Sequence, residues 1–289
     1  MHLKSDPGTI KKDNFREDAE DKAGPASQYA LVTGASSGLG KAFALELAGR
    51  KINLLLVALP GDGLPGLCEH LKTTCSIKCD FFETDMTQHE SVYELVRRVK
   101  KNYRVNILIN NLGMGGSHEF ASAGTGYLEN MISLNIRTLT LLTHQLLSEL
   151  KSHKKSYILN VSSLASFSPI GYKTIYSASK VFVLYFSRGL SQELKDTGVF
   201  VSVVHPGPMR TNSHVVRRIE SHGIFGKMGV LTPEYMAYKS IDMMFRRKPI
   251  IILGWFNRLC WLGMKLVPLR IRLPLISKQV KKTLPEHKQ

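Results

Sequence analysis

The sequence predicts an α/β protein, a three-layer doubly wound parallel sheet in a single domain, followed by a hydrophobic and basic C-terminal extension. Three observations carry this reading. Short apolar runs alternate with segments of helical spacing along most of the 289 residues, the pattern of a parallel sheet covered on both faces. A strand, a glycine-rich turn and a helix open the series between residues 29 and 48. The polar motifs then fall where predicted strands end, and open parallel sheets bind ligands beyond the carboxyl ends of their strands. A chain of this length buries one substantial core, so no second domain is needed.

Residues 1–27 are polar, mixed in charge and punctuated by Pro7, Gly8, Gly24 and Pro25. With no apolar run they read as a flexible tail and not as a secretory signal. The sheet domain is expected over 28–254, with strands at 29–33, 52–58, 76–82, 105–110, 156–161, 199–204 and 249–253. Helices are expected at 38–50, 64–73, 88–102, 125–150, 173–197 and 232–246. There is no internal repeat, and the apolar strands are too short to cross a bilayer.

The first strand, Tyr29-Ala30-Leu31-Val32-Thr33, runs into Gly34-Ala35-Ser36-Ser37-Gly38-Leu39-Gly40 and then into a helix. Glycines let a backbone approach a diphosphate closely, and the amides at the start of the new helix point at it. The spacing is Gly-x-x-x-Gly-x-Gly, not the more familiar Gly-x-Gly-x-x-Gly. Further on, Tyr176 and Lys180 stand four residues apart in a predicted helix and so share one face. An ammonium beside a phenol favours the phenolate and draws its pKa down from about 10, which equips the hydroxyl for general acid–base work. Alone, such a spacing is ordinarily a solvated pair; here the other motifs supply what the pair needs.

Together these residues resemble the short-chain dehydrogenase/reductase family, in particular its 3-oxoacyl and hydroxysteroid dehydrogenase-like members, over about residues 28 to 245. The motifs stand in family order: Thr33 to Gly40, Asp85, Asn110-Asn111-Leu112-Gly113, Asn135, Ser162-Ser163, Tyr176 with Lys180, and Pro206-Gly207 with Thr211. The resemblance implies a Rossmann-type fold and hydride transfer between NADP(H) and a ketone or secondary alcohol. It gives Ser163 the task of polarising the substrate carbonyl, and Tyr176 that of proton donor to the alcohol oxygen. Lys180 would hold the nicotinamide ribose and tune Tyr176, and Asn135 would orient a relay water. Ser163 is preferred to Ser162 because it lies 13 residues before Tyr176, the family's usual spacing. The cofactor contacts implied are Gly34, Ser36, Ser37, Gly38, Leu39 and Gly40 at the phosphates, Asp85 and Met86 at adenine, and Asn111 and Gly113 at the adenine ribose. Tyr176 and Lys180 join them, with Pro206, Gly207 and Thr211 flanking the nicotinamide. Asp85 also reads as a helix N-cap, and the two roles are compatible.

Two departures from the family pattern matter. Leu112 replaces the usual Ala. Ala58-Leu59-Pro60 ends the second strand without the acid that marks NAD or the Arg that marks NADP. Absence of the acid removes a repulsion of the 2′-phosphate, so NADP(H) is expected, with NAD(H) as the alternative. The competing functions are an NAD-dependent alcohol dehydrogenase of a small substrate and a nucleotide-binding regulatory protein with little turnover. A pure binder has no need of Ser163, Tyr176, Lys180 and Asn135 together.

The net charge of +16 is concentrated after Arg210. Without a basic arm, finger or aromatic-basic sheet motif it argues against nucleic acid, and it suits an anionic surface or ligand better. Cys68, Cys75, Cys79 and Cys260 lie too irregularly for a zinc site or a disulfide framework, and reduced thiols in a cytoplasmic compartment are expected. His205, His214 and His222 show no ligand spacing, and no metal is expected. Residues 208–230, with four glycines counting Gly207, read as a mobile loop over the substrate. The extension, 255–289, carries both tryptophans, Trp255 and Trp261, among Arg258, Lys265, Arg270 and Arg272. It falls short of the ~20 uninterrupted apolar residues of a spanning helix and resembles segments that rest in a membrane interface. Packing on the core, a lid over a lipophilic substrate (long-chain 3-oxoacyl, sphingoid or steroid-like), a dimer contact and peripheral membrane contact all stay open. A homo-oligomer is expected.

Overall fold

The structure, a computed structural model, describes residues 28–209 and 229–284. The N-terminal segment expected as a tail and most of the expected substrate loop, Thr211 included, lie outside the described residues. Seven parallel strands form one sheet: β1 (Gln28–Thr33), β2 (Asn53–Ala58), β3 (Cys79–Glu83), β4 (Arg104–Asn110), β5 (Ser156–Val161), β6 (Val199–Val204) and β7 (Ile250–Ile251). Their order is β3-β2-β1-β4-β5-β6-β7. The chain therefore winds outward from β1 to β3, crosses back, and winds outward again from β4. The crevice between the carboxyl ends of β1 and β4 is the topological switch point.

β2 is buried at every position, which is why it reads as an unbroken apolar run and not as an alternation. Its alternate residues feed opposite layers. Leu54, Leu56 and Ala58 join α1 (Gly38–Gly49), α2 (Leu64–Cys75) and α7 (Pro233–Phe245) in one cluster. Leu55 and Val57 join α3 (His89–Asn102) and α5 (Leu139–Ser152) in the other. α6 (Thr174–Glu193) packs on that second side through Val183 and Leu184 against Val203.

Most expected elements are present, with ends shifted by a few residues; three differences are physical. The helix expected over 125–150 is continuous in direction but changes pitch, from α4 (Thr125–Ile132) through a π-helical segment at Ser133–Thr138 into α5. Cys68 and Cys79 are disulfide-paired rather than reduced, with Cα atoms 5.5 Å apart. α2 runs back along the sheet, so its inner face meets the first residue of β3, a juxtaposition that sequence spacing does not reveal. Cys75 and Cys260 are free. Finally, the extension forms two helices, α8 (Trp255–Leu266) and α9 (Leu269–Lys281). They rest on the domain with little burial: Asn257 is the one buried residue of α8, and α9 has none.

Candidate active site

The glycine turn is clasped to the end of β4 by two side chains. The Thr33 hydroxyl donates to the Ile109 carbonyl (3.2 Å) and accepts from the main-chain amides of Asn111 and Leu112 (3.0 Å each). The Asn111 amide donates to the carbonyls of Thr33 (3.0 Å) and Gly34 (3.2 Å). Its side chain, expected at an adenine ribose, is thus committed to bracing the turn. Gly34 (φ 65°) and Gly38 (φ 52°) hold left-handed conformations open to glycine. A Cβ on Gly40 would collide with the Gly34 carbonyl and stand 2.6 Å from Asn111 Nδ2. The first turn of α1 therefore rests directly on the glycine turn. Ser37, the N-cap, makes no side-chain cap bond, which leaves the amides of that turn to an outside acceptor.

At the neighbouring edge Ser36 Oγ donates to Asp62 Oδ2 (3.3 Å), and the Gly61 amide donates to Glu83 Oε1 (3.1 Å). Asp62 escaped the sequence reading, which sought an acid at the end of β2 and not four residues later. Asp85 Oδ1 accepts from the Thr87 amide (2.9 Å) and hydroxyl (2.8 Å). These bonds, the main-chain one foremost, hold its carboxyl below the usual aspartate range. Gln88 is the N-cap of α3, so Asp85 closes a turn ahead of the helix instead of capping it. Met86 buries its side chain in the core and takes the Thr138 hydroxyl on its carbonyl (2.9 Å), leaving only its main chain for a ligand.

α6 starts at Thr174, which puts Tyr176 in its first turn and Lys180 one turn deeper. Lys180 is buried, and its Nζ donates to the Val161 carbonyl (3.1 Å). Burial lowers its pKa from 10.5 to about 8. Nζ of Lys180 and of Lys173 lie 5.9 and 5.4 Å from the Tyr176 ring centre, so two ammonium groups attend the phenol. Ser162 and Ser163 differ sharply. Ser162 is buried and donates to the Lys180 carbonyl (2.8 Å); Ser163 faces a cavity that Tyr176 also lines. Ser163 Oγ accepts from the Ala165 amide (3.2 Å) at the start of the 3-10 turn Leu164–Phe167, which leaves its own proton to donate.

Asn135 sits within the π-helical segment and is fully engaged. Its Oδ1 accepts from the Met114 amide (2.8 Å), and its Nδ2 donates to the Met114 carbonyl (2.9 Å) and to Ser179 Oγ (2.9 Å). A Cβ on Gly113 would stand 2.8 Å from Asn135 Oδ1 and 3.4 Å from Lys180 Nζ. Glycine at that position lets the strand-end loop press against both residues.

Ser163 and Tyr176 share an apolar cavity of about 740 Å³, walled by Pro206 and Gly207 on the sheet side and by α8 and α9 on the other. Asn257 fastens α8, donating to the carbonyls of Gly229 (3.1 Å) and Leu253 (2.9 Å). Ser277 of α9 accepts from the Gly171 amide (2.8 Å). Buried His205 lies behind Ser163, its Nδ1 within 3.2 Å of the Ser163 carbonyl and 3.0 Å of Ser166 Oγ. Burial holds it neutral, its pKa lowered to about 4. Asn257, Ser277 and His205 carry no motif, and only folding brings them to the site.

Residues 28–220 match the family described as short chain dehydrogenase. The chain is 33% identical over 188 residues to a mouse (Mus musculus) 17-beta-hydroxysteroid dehydrogenase type 3, covering 64% of this chain and 61% of that protein. It is 32% identical over 195 residues to very-long-chain 3-oxoacyl-CoA reductase-A of Danio rerio, covering 66% and 61%. Its matched part thus spans about three-fifths of these relatives' length. A solved short-chain dehydrogenase from Sphingobium yanoikuyae in complex with NADPH superposes with a TM-score of 0.72 at 26% identity, covering 91% of this chain and 98% of that one. With the glycine turn at the switch point and Tyr176 above Lys180 on α6, the match over two thirds of the sequence has one meaning: the chain belongs to the short-chain dehydrogenase family.

Proposed function

We propose that the protein is an oxidoreductase that exchanges hydride between NADP(H) and a lipophilic ketone or secondary alcohol. The observation that carries this is the meeting of Ser163 and Tyr176 in the wall of one apolar cavity, with Lys180 buried behind the phenol. The cleft suits a dinucleotide: two left-handed glycines, a third packed too tightly for any side chain, and a helix start without a side-chain cap. When bound, the nicotinamide supplies the hydride. Ser163 donates to the carbonyl oxygen and orients it. Tyr176 gives its proton to the oxygen as negative charge grows there, and takes it back in the oxidative direction. Lys180, charged below about pH 8, favours the phenolate that results. The side chain of Asn135 is occupied, so its part in a relay falls to the main chain, where a π-helical turn interrupts the regular ladder of carbonyl acceptors.

At the adenosine end the arrangement favours NADP(H) only modestly. Ala58 and Leu59 bring no acid to the end of β2, but no Arg stands there, and Asp62 places a carboxylate on Ser36. A small advantage of NADPH over NADH is expected in a binding titration and in reduction of a panel of lipophilic ketones. Asp62→Asn widens that advantage by removing a repulsion of the 2′-phosphate. A preference for NADH that Asp62→Asn leaves unmoved overturns the assignment.

The division into a catalytic domain (28–254) and an extension (255–289) belongs to the same proposal. Among the described residues no helix is long and apolar enough to cross a membrane. Trp255, Leu259, Leu262 and Leu266 of α8 and Leu269, Ile271 and Leu275 of α9 are nevertheless exposed, beside Lys265, Arg270, Lys278 and Lys281. Basic residues near an anionic bilayer contribute about 1 kcal/mol each, and apolar side chains add to that. Sedimentation with anionic vesicles, weaker at high salt and lost on truncation after Leu253, is the expected result. Vesicles that fail to capture the intact protein at low salt exclude the lipid contact.

A further inference from the structure

The cavity wall formed by α8 and α9 is chemically uneven. Cys260, Met264, Val267, Leu275, Ile276 and Val280 make it apolar, and one charged group interrupts them, Arg272 of α9. Lys173 also lines the cavity, and no carboxylate is among the described lining residues. An apolar chamber whose wall carries a guanidinium, with no carboxylate among its described lining residues, is matched by a ligand that is mostly hydrocarbon and carries negative charge.

Arg272 is held in place rather than free to swing. Its Nη1 donates to the Phe167 carbonyl (3.2 Å), at the last residue of the turn that Ser163 begins. The Phe167 ring is itself fixed between His205 (4.5 Å between ring centres) and Trp261 of α8 (6.3 Å). The bond from Gly171 to Ser277, one turn and a half along the same helix, anchors α9 nearby. Yet Arg272 Nε is buried and has no acceptor among the described residues. A guanidinium offers five N–H donors in a rigid fork shaped for a pair of oxygens. A buried donor left without a partner destabilises the fold unless an outside acceptor meets it. The protein thus supplies a fixed, incompletely bonded guanidinium in an otherwise apolar wall, close to the reacting serine.

We propose that Arg272 binds an oxyanion, a carboxylate or sulfate, at one end of the substrate. On the oxidoreductase reading, on which this rests, the substrate is then an amphipathic ketone or alcohol. Its hydrocarbon body lies between α8 and α9, its anionic end pairs with Arg272, and its reacting carbon lies between Ser163 and Tyr176. Neutral ketones of the same size fill the cavity but leave the guanidinium as it is.

A ligand that cannot react separates binding from catalysis. Hexadecanoate and its methyl ester, below their aggregation limits, are titrated into the intact chain while tryptophan emission is followed; Trp261 stands beside Phe167. The acid is expected to bind about 10-fold or more tightly than the ester, the usual worth of a charged hydrogen bond, and hexadecyl sulfate takes the place of the acid if the site prefers a tetrahedral group. Arg272→Met erases the difference, Arg272→Lys keeps part of it, and Arg270→Met, which removes an exposed neighbouring charge, keeps all of it. Equal binding of the charged and neutral ligands overturns the proposal, as does an Arg270→Met effect equal to that of Arg272→Met, which would assign the binding to surface charge. A mid-chain keto derivative of the acid, compared with its ester under NADPH, then reads the same discrimination in kcat/KM. A protein that binds the acid through Arg272 and reduces neither compound supports the anion site and counts against the oxidoreductase reading instead.

Discussion

Tyr176→Phe is expected to lower turnover by about 10²-fold or more and to leave nucleotide binding nearly unchanged. The substitution keeps the aromatic ring, which packs against the loop at Gly115, where a Cβ would stand 3.1 Å from Tyr176 Cε2. It removes only the hydroxyl. With the proton donor gone, the oxygen of the forming alcohol stays uncompensated. Because shape is preserved, substrate affinity should move far less than kcat. Single-turnover kinetics with a saturating ketone reads the two separately, and a variant with near-normal turnover would remove Tyr176 from the chemistry.

Lys180→Met is expected to act in two opposite directions. Activity falls steeply, cofactor binding weakens, and the pH at which the oxidative rate rises moves upward, because only the Lys173 ammonium remains to favour the Tyr176 phenolate. The empty protein, in contrast, becomes more stable at neutral pH. The lysine's folded pKa lies near 8 against an ordinary 10.5, so between those values the unfolded chain binds more protons and stability rises with pH. Below about pH 8 both states carry the charge, and the full cost of burying it, on the order of 3 kcal/mol, weighs on the fold. Methionine removes that cost, less whatever the lost bond to Val161 contributes. The gain should be largest below pH 8 and vanish above about pH 10.5 in thermal melts. A variant that loses activity and is also less stable at pH 7 would mean that Lys180 is a structural residue.

The fold was legible because a parallel sheet buried on both faces leaves a simple trace. The run Leu54 to Val57 can only be a strand covered from two sides, and the glycines of the first turn mark where β1 meets α1. Tyr176 and Lys180 could be singled out as candidates because motif spacing is local: the two lie about one helical turn apart on α6. What the sequence withheld depends on long-range contact. Nothing in the spacing of Cys68 and Cys79 discloses that a helix doubles back onto a strand, and nothing local distinguishes the cavity-lining serine from its buried neighbour as firmly as the bond from Ser162 to Lys180 does. The π-helical segment at Ser133–Thr138 has no sequence signature at all. Arg272 was visible only as one of many basic residues in the extension, since its distinction lies in the carbonyl it meets 105 positions earlier.

The two terminal helices bury a single side chain, Asn257, yet they form one whole side of the cavity that Ser163 and Tyr176 line. The size and polarity of that chamber are therefore written in about thirty residues that the sheet does not need for its own cohesion. Substitutions there escape the packing constraint that disciplines Leu54 or Phe43, and a change of tail amounts to a change of mould around an unaltered floor. A lineage built this way is free to diversify in what it accepts without re-solving how it folds or how it moves a proton.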